Sequence, residues 1–221
     1  MQRLFDIIFA LGALLGMGVL LIPIVIVLRF TGEGEVFFRQ ARVGRGGGVF
    51  GLLKFATMLK DSPNLATGTI TVTDDPRVLP FGKFLRATKI NELPQLINIL
   101  KGDMSIIGPR PQTQRCFNAF PERSQRKIIE VRPGLSGVGS VVFRAEDRML
   151  GDVGQADRLY DEVIMPYKGQ LEEWYVANQG LKNYFLLIFA TVWVVIFPSS
   201  RVLWHLFKGL PTPPAELRKY F

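Results

Sequence analysis

"IIFALGALLGMGVLLIPIVIVL", residues 7 to 28, decides where this chain is seated. No charge interrupts it, and as a straight helix rising about 1.5 Å per residue it is long enough to cross a bilayer. Pro23 stands inside the run. A proline removes one backbone donor and crowds the preceding turn, and the 16 apolar residues before it fall short of a comfortable span. Two readings follow: a kinked helix that crosses, or a hairpin that dips in and returns to the face it left. Arg3 and Arg29 flank the run with one positive charge each, so the positive-inside rule does not choose. A cleaved secretory signal is disfavoured, because the run exceeds a normal signal core and no A-x-A-like site follows it.

Further along, "YFLLIFATVWVVIF" (184–197) is too short to span, and "SSRVLWHLFKGL" (199–210) intersperses Arg201, Trp204, His205 and Lys208 with Leu and Phe. Basic and tryptophan residues among apolar ones suit a helix lying in the membrane interface; a buried core helix is the plainer alternative. The chain has 221 residues, a net charge of +8 and 48% hydrophobic residues. That combination favours a membrane-seated protein with a basic face over a nucleic-acid binder, and no recognition-helix or aromatic RNA-binding pattern is present. Cys116 is the single cysteine, which excludes internal disulfides and cysteine-based zinc, and fits a reducing compartment. His205 is the only histidine, so neither a histidine metal site nor a Ser-His-Asp triad can be assembled.

Between the apolar ends, "VFFRQARVGRGGGVFGLLKF" (36–55) reads as a β-hairpin about a glycine turn, with strand pieces at 36–38 and 49–55. Gly46 to Gly48 lack the Lys-Ser/Thr of a phosphate loop. Residues 61–75 read as an exposed loop with a short Thr/Val-rich extended piece. In "KINELPQLINILKGDMSIIGPRP" (89–111), Leu93, Leu96, Ile97 and Leu100 form one helical stripe that ends at Gly102. Asn91 stands where an N-cap belongs and Pro94 in the first turn; on this bland account Asn91 caps, Glu92 complements the helix dipole, and neither does chemistry. Basic residues surround the stretch: Lys54, Arg77, Lys83, Arg86, Lys89, Arg110, Arg115 and Arg132. Arg110 lies between two prolines and Arg132 precedes Pro133-Gly134, stiff settings that preorganise a guanidinium for phosphate or carboxylate. Helix entrance, acid and rigid arginines together suit phosphoryl transfer, which depends on positioning and charge neutralisation.

Over nearly its whole length the chain resembles the bacterial sugar transferases, the monotopic polyprenyl-phosphate phosphoglycosyl transferases. The likeness is carried by "RLFDIIFA" with its later proline, "VFFRQARVGRGGGVFGLLKFATM", "DDPRVLPFGKFLRATKINELPQLINILKGDMSIIGPRP" and "VRPGLSG". The resemblance implies transfer of a sugar 1-phosphate from a UDP-sugar to undecaprenyl phosphate, releasing UMP, with Mg²⁺, at the cytoplasmic face of the bacterial inner membrane. It also implies a re-entrant N-terminal helix that breaks at Pro23. The family carries Asp-Glu where this chain has Asn91-Glu92; the Asp is its nucleophile and helps hold Mg²⁺. A neutral amide is a poor nucleophile and a weaker Mg²⁺ ligand. Three accounts stay open: Glu92 serves as nucleophile or base, the steps run in another order, or the change inactivates the enzyme and leaves a lipid- or partner-binding protein. Ala56 and "GSVVFRAED" (139–147) also depart from the family pattern.

The expectation is therefore an α+β fold: a re-entrant helix–break–helix anchor at 1–30, a membrane-associated catalytic domain with a short β-hairpin at 31–180, and interfacial amphipathic helices at 181–221. Glu92 and Asn91 are the candidate catalytic and Mg²⁺-holding positions. Lys54, Arg77, Arg86, Arg110 and Arg132 are the candidate phosphate-binding residues. Expected partners are undecaprenyl phosphate, a UDP-sugar and the phospholipid membrane, with no nucleic acid; the apolar C-terminal helices would suit a homodimer or a membrane equally. The sugar is not legible, although 136–165 is where it is expected to be contacted.

Overall fold

The structure, a computed structural model, describes residues 1–64, 75–144, 158–197, 200 and 202–220. The extended piece expected within 61–75, residues 145–157 of the sugar-contacting segment expected at 136–165, and Arg201 lie outside them. The chain opens with helix α1, Gln2–Phe30, and the hairpin β1 (Phe37–Val43) and β2 (Val49–Phe55) follows. Next come α2 (Pro80–Ala87), a 3-10 turn at Ile90–Glu92, α3 (Gln95–Lys101) and β3 (Ser105–Ile107). Short helices α4 (Gln114–Asn118) and α5 (Glu122–Ile128) lead to β4 (Gly134–Ser136) and α6 (Val138–Val142). A π turn at Tyr160–Ile164 runs into α7 (Met165–Ala177), and α8 (Leu181–Ile196) and α9 (Val202–Leu206) close the fold. Mixed helix and short strands match the α+β expectation.

The apolar run forms α1, but not as two helices. The helix continues through Pro23, so the break expected there is not found. Packing explains the continuity. Ala10, Ala13, Leu14 and Met17 sit against Leu52, Leu96, Ile99 and Met104; Leu21, Ile24, Val25 and Leu28 sit against Phe55, Phe81, Leu85 and Ile90. Spacings of three and four keep these on one stripe, so the fold holds both halves of the helix on the same body and offsets the one hydrogen bond proline removes. The other stripe shows Leu4, Ile8, Leu11, Leu15, Val19, Ile22 and Ile26 to the outside. By length and composition α1 could cross a membrane.

At its start α1 is fastened by polar contacts. The Asp6 carboxyl accepts at Oδ1 from the Ser105 hydroxyl at 2.9 Å, the Ile106 N–H at 2.9 Å and the Tyr184 hydroxyl at 3.0 Å, a set that hydrogen-bonds a buried polar group. The hairpin is longer on its first strand than the sequence suggested, with Phe37↔Phe55 through Val43↔Val49 in antiparallel register. The parallel pair β3 and β4 (Ser105↔Gly134, Ile107↔Ser136) lies between α1 and the C-terminal helices. One core cluster runs from Val43 to Leu217, so the C-terminal helices share the core of the middle segment. Tyr184, Leu187, Ala190 and Val194 of α8 face that core, while Phe185, Phe189, Val192, Val195 and Ile196 are exposed. The helix is thus both core element and apolar outer surface.

Candidate active site

Two residues far apart in sequence define the site. Arg110 donates from Nη2 to Glu92 Oε1 at 2.7 Å and from Nη1 to Oε2 at 3.4 Å, a two-pronged pair with Glu92 the more buried partner. Glu92 ends the 3-10 turn at Ile90–Glu92 rather than standing in a helix. Lys89 enters that turn at φ 60°, the one non-glycine residue at positive φ among those described. Holding a residue with a Cβ there costs of order 1 kcal/mol, which the surrounding fold must supply.

The expected N-cap role of Asn91 is therefore corrected. The helix starts later, with Pro94 at its cap position, and the Asn91 side chain caps nothing. Asn91 is buried, and its Oδ1 has no hydrogen-bond partner among the described residues. The helical stripe also differs: Leu96 and Ile99 are its buried apolar members, beside Gln95 and Asn98, with Leu93 and Leu100 partly covered and Ile97 half-buried. Asn98 explains the shift. Its Oδ1 accepts from the Leu53 N–H at 2.9 Å and its Nδ2 donates to the Gly51 carbonyl at 2.9 Å, so a side-chain amide on α3 fastens β2 as a neighbouring strand would.

Strand β2 brings Lys54. In the hairpin register Phe38, Gln40 and Arg42 share a face with Lys54, Leu52 and Phe50. That face carries two cations to Glu92. Burial pushes the Lys54 ammonium down to about 7; Glu92 opposes the shift, and Arg42, Arg110 and Arg86 add to it. Burial lowers Arg42 to about 10, with Arg110 contributing. Burial alone would raise the Glu92 carboxyl, yet Arg110 and Lys54, with Lys89 beyond, hold it well below the usual carboxylate range. One ionised carboxylate thus sits among Lys54, Lys89, Arg42 and Arg110, with Arg86 beyond Lys54, an excess of positive charge suited to phosphates.

The turn presenting Arg110 is clamped on two sides. Arg42 Nη1 donates to the Pro111 carbonyl at 3.0 Å, and the N–H groups of Arg110 and Gly139 donate to the buried Glu172 carboxyl on α7. Beneath, Gly108 N–H meets the Ser136 carbonyl at 2.9 Å and Gly134 N–H the Pro109 carbonyl at 2.8 Å. A side chain at Gly108 would strike the Arg132–Gly134 backbone, so the strands approach only because glycine is there.

Of the phosphate-binding candidates, the structure gathers Lys54 and Arg110 around Glu92, with Arg86 close enough to Lys54 to depress its ammonium further. It does not bring Arg77 or Arg132 there. Arg77 is buried against Asp75, donating from Nε at 2.9 Å and Nη2 at 2.5 Å, and from Nη1 to the Ser62 carbonyl at 2.8 Å. Arg132 donates from Nε to the Gly102 carbonyl at 2.9 Å, at the opposite end of α3. Sequence reasoning missed Arg42, Asn98 and Glu172. Strand alternation carried through residue 42 would have found Arg42; nothing local marks Asn98 or Glu172.

Comparison with known proteins identifies the family. The family model for bacterial sugar transferase matches residues 1–198. Exopolysaccharide production protein ExoY of Sinorhizobium fredii is 29% identical over 205 residues, covering 86% of this chain and 83% of that protein. The UDP-glucose:undecaprenyl-phosphate glucose-1-phosphate transferase of Xanthomonas campestris pv. campestris is 37% identical over 149 residues, 66% of this chain. The UDP-galactose-lipid carrier transferase of Erwinia amylovora is 30% identical over 213 residues, 89% of this chain. The chain spans only about a third of the Xanthomonas protein, 31%, and 40% of the Erwinia one. A match running from the first residue through the Glu92 cluster to the apolar helix α8 places this chain in the bacterial sugar transferase family.

Proposed function

We propose that this chain transfers a sugar 1-phosphate from a UDP-sugar to undecaprenyl phosphate, releasing UMP, at the cytoplasmic face of the bacterial inner membrane, as the first membrane step of a polysaccharide pathway. The observation that carries the reading is the preorganised Glu92–Arg110 pair flanked by Lys54 and Arg42, with Arg86 beside Lys54. Relatives named as lipid-carrier and undecaprenyl-phosphate transferases support the substrate class. The alternative of an impaired binding protein draws no support from those relatives.

Two anions must meet in such a reaction, and their repulsion is the first barrier. Guanidinium and ammonium groups fixed before substrate arrives offset it without reorganising at the moment of reaction. The sugar-bearing phosphorus exchanges its bond to the UMP oxygen for one to the lipid phosphate oxygen. An ionised phosphate needs no base, and Glu92, held strongly acidic, is a poor one. We therefore assign Glu92 to orienting Arg110, with the lipid phosphate attacking directly; Asn91 offers no competing nucleophile.

Mg²⁺ fits the donors on hand. No group of three or more His, Cys, Asp or Glu converges among the described residues. Glu92 and the unpartnered Asn91 Oδ1 would supply one anionic and one neutral oxygen, and phosphates and water the rest, a common Mg²⁺ arrangement. When bound, Mg²⁺ would neutralise charge on the transferred phosphate.

The seating we propose is monotopic. Both ends of α1 rest on the same body, through Asp6 near the start and Leu28 near the end, so a crossing would drag that body into the bilayer. Embedding the outward stripe of α1 together with the exposed face of α8 keeps the Glu92 cluster at headgroup level. Incubating the detergent-solubilised protein with undecaprenyl phosphate, Mg²⁺ and a panel of labelled UDP-sugars tests the function. Lipid-linked sugar phosphate with stoichiometric UMP is expected; absence of product across the panel refutes it.

A further inference from the structure

At the far end of α3 lies a second set of arginines that the transfer reaction does not use. A groove of about 160 Å³ there is lined by Gln2, Arg3, Asp6, Arg45, Glu130 and Arg132 among others. Arg3 donates from Nη1 to the Ile99 carbonyl at 2.6 Å and from Nη2 to the Leu100 carbonyl at 3.0 Å, and Arg132 joins it at Gly102. Arg45 donates from Nε to the Glu130 carbonyl at 3.2 Å.

Capping a helix C-terminus explains part of this, since cations complement its exposed carbonyls. It does not explain the rest. A guanidinium has five N–H donors in a fixed fork. Arg45 and Arg132 each satisfy one, at Nε, and their Nη groups make no hydrogen bond among the described residues. Two acids line the groove as well: Asp6, whose Oδ1 accepts from the three donors at the start of α1, and Glu130, whose Oε1 meets Lys127 at 2.9 Å. Three guanidinium groups against these two carboxylates leave the groove with an excess of positive charge, which an anion would offset.

We propose that this groove is a second anion site, taking one phosphate-type group independently of the Glu92 cluster. Ten residues of turn and helix separate Gly102 from Glu92, roughly 15 Å at helical rise. Forked arginines are the side chains that match phosphate oxygens two at a time. The exposed apolar residues Leu4, Ile7 and Ile8 follow directly on Gln2 and Arg3, so a phospholipid headgroup and a free phosphate are both chemically served.

The test uses the full chain in nanodiscs of zwitterionic lipid, titrated with inorganic phosphate and, separately, with dihexanoyl phosphatidylglycerol. An Arg110→Gln background weakens the Glu92 cluster and is expected to retain binding. Adding Arg45→Gln and Arg132→Gln to it, with Arg3 left to cap α3, is expected to weaken binding at least tenfold. Tighter binding of the lipid identifies a headgroup, tighter binding of phosphate a soluble ligand, and either supports the site. Arg45→Gln alone, at an exposed position that does not threaten folding, is expected to weaken binding about threefold and decides the matter if the triple variant does not fold. No binding by the Arg110→Gln protein, or undiminished binding after the Arg45 change, overturns the proposal.

Discussion

Arg110 and Glu92 meet in a two-pronged ion pair although 18 positions separate them in the chain, one on a proline-bounded turn, the other on a turn begun by a left-handed lysine. Neither setting is a helix interior or a strand. The first consequence concerns the shape of the cation. Lysine keeps the charge but loses the fork, so Arg110→Lys is expected to lower kcat on the order of 100-fold with the fold intact, as loss of one preorganised donor does. Initial rates together with a circular dichroism melt check it; an unimpaired kcat would mean the pair is only structural.

Asn91 gives a sharper prediction. With an amide beside Glu92, direct transfer leaves no phosphosugar on the protein, so intact-protein mass spectrometry of wild type quenched with UDP-sugar should show no adduct. Asn91→Asp places a second carboxylate at that buried position and is expected to give one. An adduct on wild type would contradict the assignment of Glu92 as an orienting group.

Lys54 should make nucleotide-sugar binding pH-dependent. Burial depresses its ammonium to about 7, so the free protein loses that charge as pH rises through neutrality, while a bound diphosphate restores it by proton uptake. Affinity should fall between pH 6.5 and 8.5, and Lys54→Arg should flatten the dependence. The same shift acts on folding. The unfolded chain binds the extra proton between about 7 and the ordinary 10.5, so the stability cost of burying Lys54 is full below 7 and is relieved as pH climbs through that window. A melting-temperature series across that window, compared with Lys54→Met, reads it directly.

Glu172 ties the Arg110 turn to α6 from behind. Removing its carboxyl strands two buried N–H groups, those of Arg110 and Gly139, at about 1–3 kcal/mol each. Glu172→Ala should lower the melting temperature and reduce activity mainly through kcat. Glu172→Gln keeps an acceptor oxygen and should recover most of both. Equal behaviour of the two variants would rule out the clamp.

Much of this was legible in the residues. The apolar run, the hairpin, the glycine that ends α3 and the stiffness around Arg110 each follow from local chemistry. What was not legible depended on distant partners. Pro23 reads as a helix breaker because its cost is local, whereas the contacts of Ala10 and Leu28 that keep α1 whole come from elsewhere in the chain. Asn91 reads as a cap because the left-handed Lys89 that sets it apart from the helix leaves no trace in composition. Arg132, beside Pro133-Gly134, looks as preorganised as Arg110, yet the parallel pairing of β3 and β4 sends the two arginines to opposite ends of α3.

The central claim is that a carboxylate held by an arginine, among fixed cations, joins a nucleotide sugar to a lipid phosphate. Rapid-quench measurement of UMP release and lipid-linked product, with wild type beside Glu92→Gln, tests it most directly. The account predicts equal amounts of both products from wild type, dependence on undecaprenyl phosphate, and at least a 100-fold slower rate with Glu92→Gln. UMP released at the same rate without the lipid, or a Glu92→Gln protein as fast as wild type, would contradict it.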